Sequence, residues 1–456
     1  MSLVVAPREG RRHAAAVARL QASYAALPPG APVRLAKTTT NLFRPRVEVG
    51  TGLDVSGLDG VLSVDPESRR AEVQGMCTYE RLVAATLPHG LIPLVVPQLR
   101  TITLGGAVSG LGIESTSFRS GLPHESVLEM DVLTGGGTLV TCRPGDDLFD
   151  AFPSSYGSLG YATRLRIELE PIGTHVALRH VEFPDAGSLA AAVEEVVATR
   201  RWEGERVDGM DGVAFTPTQL RLTLARFGAE PGPVSDYTRT GVYWRSVQER
   251  ETDLLTAADY VWRWDTDWFW CSRAFGLGHP VVRRLWPRRW RRSDVYQRLV
   301  ALDRRVGLVD RLDARAGRPR RERVVQDVEV PVEALGEFLA WFDREVGMRP
   351  VWLCPLRLRT SRAWPTYPLE PGRTYVNVGF WGTVPVGPGA EDSPLNRAVE
   401  TKVSELGGHK SLYSEAFYDR ETFDGLYGGP ELAEVKRRYD PDDRLTSLYD
   451  KVVHRR

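Results

Sequence analysis

Cysteine is scarce in this 456-residue chain: four residues, at 77, 142, 271 and 354, with no C-x-x-C or other paired spacing. That excludes a disulfide framework and a cysteine-built zinc site, and it reads as a reduced intracellular protein. No other ligand set points to a metal. Excess charge of either sign is missing too, since 59 Lys and Arg balance 59 Asp and Glu. Nothing therefore draws the whole molecule towards nucleic acid. No run approaches the roughly 18 apolar residues of a membrane span. Residues 8–26 read as an Ala-rich surface helix, not as the apolar core of a signal peptide. The chain is expected to be soluble or peripheral. It has no G-x-G-x-x-G strand–turn–helix, P-loop, H-E-x-x-H or G-x-S-x-G elbow, which excludes the common phosphate, zinc-protease and serine-hydrolase signatures.

A hydrophobic share of 42% supports a sizeable core, and the length predicts two closely joined domains. Residues 31–173 hold short alternating runs punctuated by Gly, Pro or Asp: VEVG, GVLSVDP, RAEVQG, VLEMDVLT, GTLVTC and TRLRIELEP. Helices are predicted between them at Thr78–Leu87, with Thr78 as N-cap, and at Asp146–Phe152. From 174 to 429 the strands HVALRHVEF, QLRLTLARF, VVQDVEV and TYVNVGFW alternate with the helices SLAAAVEEVVATRR and Glu333–Val346. This is an α+β pattern whose second sheet is covered by helices on one side. The expected divisions are an N-terminal helix (1–30), a first domain (31–173), a second domain (174–429) and a return of 430–456 to the first.

The most informative stretch is 97–121, PQLRTITLGGAVSGLGIESTSFRSG. It has glycines at 105, 106, 110, 112 and 121 and no helical apolar period. Glycine lets backbone approach a ligand closely, and successive N–H groups can form a nest for phosphate oxygens. By itself such a stretch is equally a long loop.

Three segments in order decide between these readings. TITLGGAVSGLGIES (101–115), SVLEMDVLTGGGTLVTC (126–142) and YGSLGYATRLRIELEP (156–171) together resemble the FAD-binding domain of the vanillyl-alcohol-oxidase (PCMH-type) superfamily. T-I-T-x-G-G at 101–106, G-I-E-S at 112–115, VVQDVEVPVEAL, WLCP, YVNVGFWG, LYSEAFYDRETF and LYDK are similar to the Δ24-sterol reductase subgroup. The likeness runs from about residue 33 to the C-terminus. It implies a two-part FAD domain with an α+β substrate cap. K-x-x-Y-D-P (Lys436, Tyr439, Asp440, Pro441) marks the return to the FAD domain.

The resemblance also implies a site. Pyrophosphate would lie on Thr101, Ile102, Thr103, Leu104, Gly105 and Gly106, and the flavin ring near Gly110, Gly112, Ile113, Glu114 and Ser117, with Gly121 closing the loop. Gly160 and Tyr161 would lie near the adenosine or ring edge. Lys37, Thr38 and Asn41 occupy the family's other phosphate loop, here KTTTN instead of a glycine-rich form. No His or Cys occurs at 37–42 or 97–121, so FAD is expected to be noncovalent, with NADPH as electron donor. His124 is read as a polar turn residue and Cys354 as a buried apolar thiol.

Residues 262–298 concentrate Trp (262, 264, 268, 270, 286, 290) and Arg (283, 284, 288, 289, 291, 292). Indoles favour the headgroup level of bilayers and basic clusters favour anionic lipid. The tract is therefore expected to rest on the cytoplasmic face of the plasma membrane. Ordinary packing or nucleic acid are the other readings. Within the sterol-reductase-like resemblance, this tract and an Arg-, Ala- and Gly-rich, bacterial-looking composition make the chain look like the actinobacterial reductases that saturate a methylene branch on the oleoyl chain of a phospholipid to 10-methylstearoyl. There a methyltransferase installs the branch and is the functional partner. Such chemistry needs an acid: the candidates are Glu114, Tyr413, Glu415 and Tyr418. Alternating Tyr413, Glu415 and Phe417 are predicted to share one face of a strand. The alternatives are reduction of a sterol or other isoprenoid, oxidation of a hydroxylated small molecule, and a non-catalytic flavin or lipid scaffold.

Overall fold

A computed structural model describes residues 7–37, 43–44, 51–239, 241–306, 311, 315, 317–387 and 389–454. The predicted strand VEVG, with Thr38 and Asn41, lies outside these. The helix Pro7–Ala25 buries Ala16 and Leu20 against Leu58, Leu133 and Leu445. Among the described residues no helix is long and apolar enough to cross a membrane.

The first sheet contains β1 (Val61–Asp65), β2 (Arg70–Gln74), β3 (Leu91–Pro93), β4 (Val127–Leu133), β5 (Leu139–Cys142) and β6 (Tyr161–Pro171). Its order is β1-β2-β6-β4-β5, with β3 on the far end of β6, all antiparallel. The predicted cap forms: Thr78 accepts the Arg81 N–H at 3.3 Å and starts the helix Tyr79–Thr86.

β7 (His175–Phe183) opens the second sheet. β8 (Arg201–Trp202) and β9 (Glu205–Arg206) form a separate small hairpin. There follow β10 (Gly209–Thr216), β11 (Gln219–Phe227), β12 (Thr252–Thr256), β13 (Arg321–Pro331), β14 (Val351–Leu356), β15 (Tyr375–Pro385) and β16 (His409–Lys410). The order is β12-β7-β11-β10-β14-β15-β13-β16. Strand alternation sorts the two faces. Val324, Val328 and Val330 of β13 join Val376, Val378 and Phe380 of β15 against the helices Ala186–Thr199, Leu335–Glu345 and Pro394–Glu405. Asp327 and Glu329 take the opposite parity and face the first unit. The C-terminal segment lies on the first unit: Gly136 N–H donates to the Tyr439 carbonyl at 2.9 Å, and Tyr439 Oη donates to Asp147 at 2.8 Å.

One predicted element does not form. Residues 411–419 are irregular, so Tyr413, Glu415 and Phe417 share no strand face. The backbone there wraps a buried Lys410–Glu400 pair at 2.5 Å. Lys410 also donates to the Glu415 carbonyl, and Glu400 accepts the Phe417 N–H at 3.0 Å. Those bonds compete with any ladder.

The two units meet at a buried triad. Arg263 Nη2 lies 3.0 Å from Glu114 Oε1 and 3.2 Å from Asp211 Oδ1, and none of the three side chains is more than 6% exposed. Glu114 belongs to the glycine-rich loop, Asp211 to β10 and Arg263 to the tryptophan tract. Removing one member of a buried ion group strands the others. Arg263→Ala is expected to cost about 3–5 kcal/mol, read as a fall in Tm and in denaturant midpoint. A loss under about 1 kcal/mol would show that the triad does not join the units.

Candidate active site

A cavity of about 790 Å³ lies between the two units. Its floor is the 97–113 loop and the helix Leu104–Ser109, whose N-cap Thr103 accepts the Gly106 N–H at 3.2 Å. Leu104 and Gly105 N–H groups donate to the carbonyls of Cys77 and Gly75, both at 2.9 Å. A Cβ on Gly105 would sit 2.7 Å from the Gly75 carbonyl oxygen, and one on Gly106 would sit 2.8 Å from Thr103 Oγ1. The glycines therefore let the loop seat on the edge of the first sheet and keep its cap, and only then cradle a ligand. Lys37 Nζ donates to Thr103 Oγ1 at 3.1 Å, which puts a cation at this end.

The other end is aromatic. Phe269 stacks on Trp381 with centroids 4.2 Å apart and meets Trp352 at 5.3 Å, while Phe43 stacks on Trp268 at 6.1 Å. The wall is held from behind, because Trp264 and Trp352 indole N–H groups both donate to Asp211 Oδ2, at 2.7 and 3.1 Å. Tyr156, Trp268 and Phe269 line the cavity with φ of 48°, 45° and 58°. Left-handed backbone at a bulky residue costs of order 1–3 kcal/mol and concentrates at functional sites.

One carboxylate lines this cavity among the described residues, and the sequence reading passed over it. Asp327, on β13, is partly exposed to the cavity and accepts Asn377 Nδ2 at 3.1 Å and the Tyr413 hydroxyl. Tyr413 in turn accepts Trp381 Nε1 at 3.2 Å. Behind Asp327, Glu329 is fully buried and accepts Tyr367 Oη and Ser411 Oγ, the latter at 3.3 Å. Burial raises Asp327 to about 6 and Glu329 to about 8, against the hydrogen bonds that each accepts. The alternation in VVQDVEV puts both acids on the strand face opposite Val324, Val328 and Val330, but it does not say that this face meets a cavity and not solvent.

The predicted site residues divide as follows. Lys37, Thr101, Ile102, Thr103, Gly105, Gly106, Gly110, Gly112, Ile113, Tyr161 and Tyr413 line the cavity. Leu104 is core. Ser117 Oγ accepts the Glu114 N–H at 3.1 Å and shapes the loop outside the cavity. Gly121 has φ 70° and Gly160 φ 139°, where a Cβ would strike Glu125 and the Leu133 carbonyl. Glu114 turns away from the cavity into the triad and also accepts Ser115 Oγ at 2.6 Å; burial raises its carboxyl while Arg263 opposes that. Glu415 is half-buried outside the lining, and Tyr418 packs on Tyr427. His124 is not a polar turn residue: it is buried edge-on to Trp364 at 4.3 Å, and desolvation lowers it to about 3. Cys354 is buried and burial pushes its thiol well up.

The Trp/Arg tract is not one surface. Trp262, Trp264, Trp268 and Trp270 are buried, as are Arg283 and Arg291. Arg292 pairs with Glu80 at 2.9 Å and Asp294 at 2.6 Å. Asp265 in the same tract accepts the backbone N–H and Nε of Arg100, at 3.1 and 3.0 Å, and so ties the tract to the glycine loop.

The acid pair has a thermodynamic signature. Asp327 and Glu329 keep protons in the fold that the unfolded chain, with values of 3.8 and 4.5, has already lost. Their contribution is fully present below those values and is lost as pH rises through about 6 and then about 8. Wild-type Tm is expected to fall across that window, and Glu329→Gln to flatten the upper part of the fall. Thermal melts from about pH 5 to 9 check this. An equally steep fall in the variant would show that Glu329 titrates as an ordinary carboxylate.

Residues 2–143 match the FAD binding domain family. The chain is 24% identical over 407 residues to the Delta(24)-sterol reductase of Homo sapiens, covering 86% of this chain and 76% of that protein. It is 24% identical over 436 residues to the Delta(24)-sterol reductase of Arabidopsis thaliana, covering 88% and 76%. Cytokinin dehydrogenase 2 of Oryza sativa subsp. japonica is 34% identical over 145 residues, 31% of this chain and 26% of that protein. The cavity fits FAD, with a glycine cradle and Lys37 for the pyrophosphate and an aromatic slot for a flat ring. The chain is therefore an FAD-dependent oxidoreductase, with the α+β, two-part build that goes with this FAD-binding domain.

Proposed function

We propose that the protein saturates an isolated C=C of a lipid, the 10-methylene branch of a phospholipid acyl chain, giving the 10-methylstearoyl group. The observation that carries this reading is the Asp327–Tyr413 pair, which faces an aromatic-walled cavity shared with the glycine cradle. Relatives matched over most of their length are named for reduction of a sterol double bond, and that supports a lipid alkene over a hydroxylated small molecule. The glycine cradle and Lys37 would hold FAD noncovalently, and the bound flavin, reduced at the expense of NADPH, would provide the hydride. A methyltransferase supplies the branched substrate, and the enzyme works at the cytoplasmic face of the plasma membrane.

The chain's own residues solve the remaining problem. An isolated alkene is not polarised, so a proton must reach the terminal CH₂ first and leave positive charge on the substituted carbon. Asp327 carries that proton, since burial keeps its carboxyl protonated further up the pH scale than an exposed aspartate. Tyr413 orients it through their hydrogen bond. The faces of Trp352, Trp381 and Phe269 stabilise the cation and exclude water. Glu114, Glu415 and Tyr418 are left with structural parts: the triad, the Lys410 wrap and the Tyr427 contact.

Asp327→Asn is expected to slow substrate-driven flavin reoxidation about 10²–10⁴-fold, with reduction by NADPH nearly unchanged. Tyr413→Phe should have the same direction and a smaller size. In deuterated solvent the label should enter the branch methyl group, whereas deuterium supplied through NADPH should enter the branch carbon. NADPH-derived label in the methyl group would reverse the assignment. Heat or acid should release the flavin, and flavin left on the denatured chain would show a covalent bond.

A further inference from the structure

Residues 276–292 form a hairpin on the second unit: the helix Pro280–Leu285 followed by the 3-10 turn Arg288–Trp290. Its amphipathic order is inverted. Leu285 is 79% exposed, Val281 59%, Trp290 47% and Val282 36%, while Arg283 of the same helix is 1% exposed. A soluble surface hides such side chains and shows the arginine.

The inversion is built in. Arg283 is drawn inward by Asp267, at 2.6 and 3.0 Å, and donates to the Tyr237 carbonyl at 2.8 Å. Arg291 is buried and donates to the carbonyls of Thr238, Arg239, Arg283 and Trp286. Two internal arginines thus clamp the hairpin and hold its apolar face outward. Around that face stand Arg284, Arg288 and Arg289, all exposed. Only Arg288 has an ion pair among the described residues, to Asp236 at 2.8 Å. No Asp or Glu occurs between Trp268 and Ser293.

We infer that this hairpin, not the tract as a whole, is where the enzyme docks on an anionic phospholipid bilayer. Val281, Val282, Leu285 and Trp290 enter the acyl boundary, and Arg284, Arg288 and Arg289 meet the phosphates. Charge decides between occupants. A second copy would bring the same arginine-ringed patch against itself. A six-residue helix and one turn also present far less than the roughly 1,000 Å² that a stable protein interface needs. The inference rests on the lipid reading above, and the hairpin is linked to the cavity through Asp267, which clamps Arg283 and precedes the lining residues Trp268 and Phe269.

The test uses purified FAD-loaded enzyme with vesicles of phosphatidylcholine alone or with phosphatidylglycerol, at low and high salt. Wild type should co-sediment with the anionic vesicles and release in salt. Leu285→Asp, and separately Arg284→Glu with Arg289→Glu, should weaken that at least about tenfold. Both variants should keep the wild-type rate on 10-methylene phospholipid dispersed in detergent and lose it on vesicles. Wild-type binding that ignores lipid charge and salt overturns the inference, as does a dimer that Leu285→Asp dissolves. If the variants bind vesicles as wild type does while lipid is still reduced, docking fails and the proposed function stands. If wild type docks through the hairpin but reduces no methylene lipid, the docking stands and the proposed function fails.

Discussion

A single buried guanidinium organises this molecule. Arg263 bridges Glu114 on the glycine loop and Asp211 on the second sheet, so the glycine floor and the aromatic wall of the cavity are fixed to one charge. Buried ion groups of this kind add little net stability relative to an apolar packing of the same volume, but they tolerate no missing member. What the triad contributes is position. Asp211 uses its second oxygen for the indoles of Trp264 and Trp352, and these pack directly on Phe269. Three contacts thereby connect the loop to the aromatic wall: Glu114 to Arg263, Arg263 to Asp211, and Asp211 to the two indoles.

The same economy governs the acids. Glu114 is neutralised by its arginine and removed from the cavity. Asp327 has no cation of its own in the hydrogen bonds it accepts, and burial pushes it upward. The residue left without a cation is the one whose proton is held further up the pH scale than an exposed aspartate's, as a proton donor requires. Glu329 behind it is pushed further in the same direction, partly by Asp327 itself. Two carboxylates on one strand face thus resist ionising together.

The tryptophan and arginine tract serves three ends in one stretch of chain. Trp264, Trp268 and Phe269 build and brace the cavity wall, Asp265 and Arg263 grip the glycine loop, and residues 280–290 stand at the surface with their polarity reversed. Composition alone mixes these parts together, because burial of an arginine depends on which carboxylate or carbonyls the fold brings to it: Asp267 of the same tract for Arg283, and Thr238 and Arg239 from outside it for Arg291.

The sequence by itself determined the local order. Alternation marked the strands HVALRHVEF and QLRLTLARF to the residue, Thr78 declared its helix, and the glycine spacing of 101–112 marked a loop that lines the cavity. These follow from contacts within a few residues, where period and capping are decided. The tertiary structure alone decided which acids reach the cavity. Glu114 and Asp327 are equally good acids on paper; Arg263, about 150 positions from Glu114, takes one out of play, and the packing of β13 between β15 and β16 delivers the other. It also overruled the strand expected at 412–418, because Lys410 and Glu400 claimed that backbone first. A charge's role depends on its partner, and partners far apart in the chain are chosen only when the sheets close.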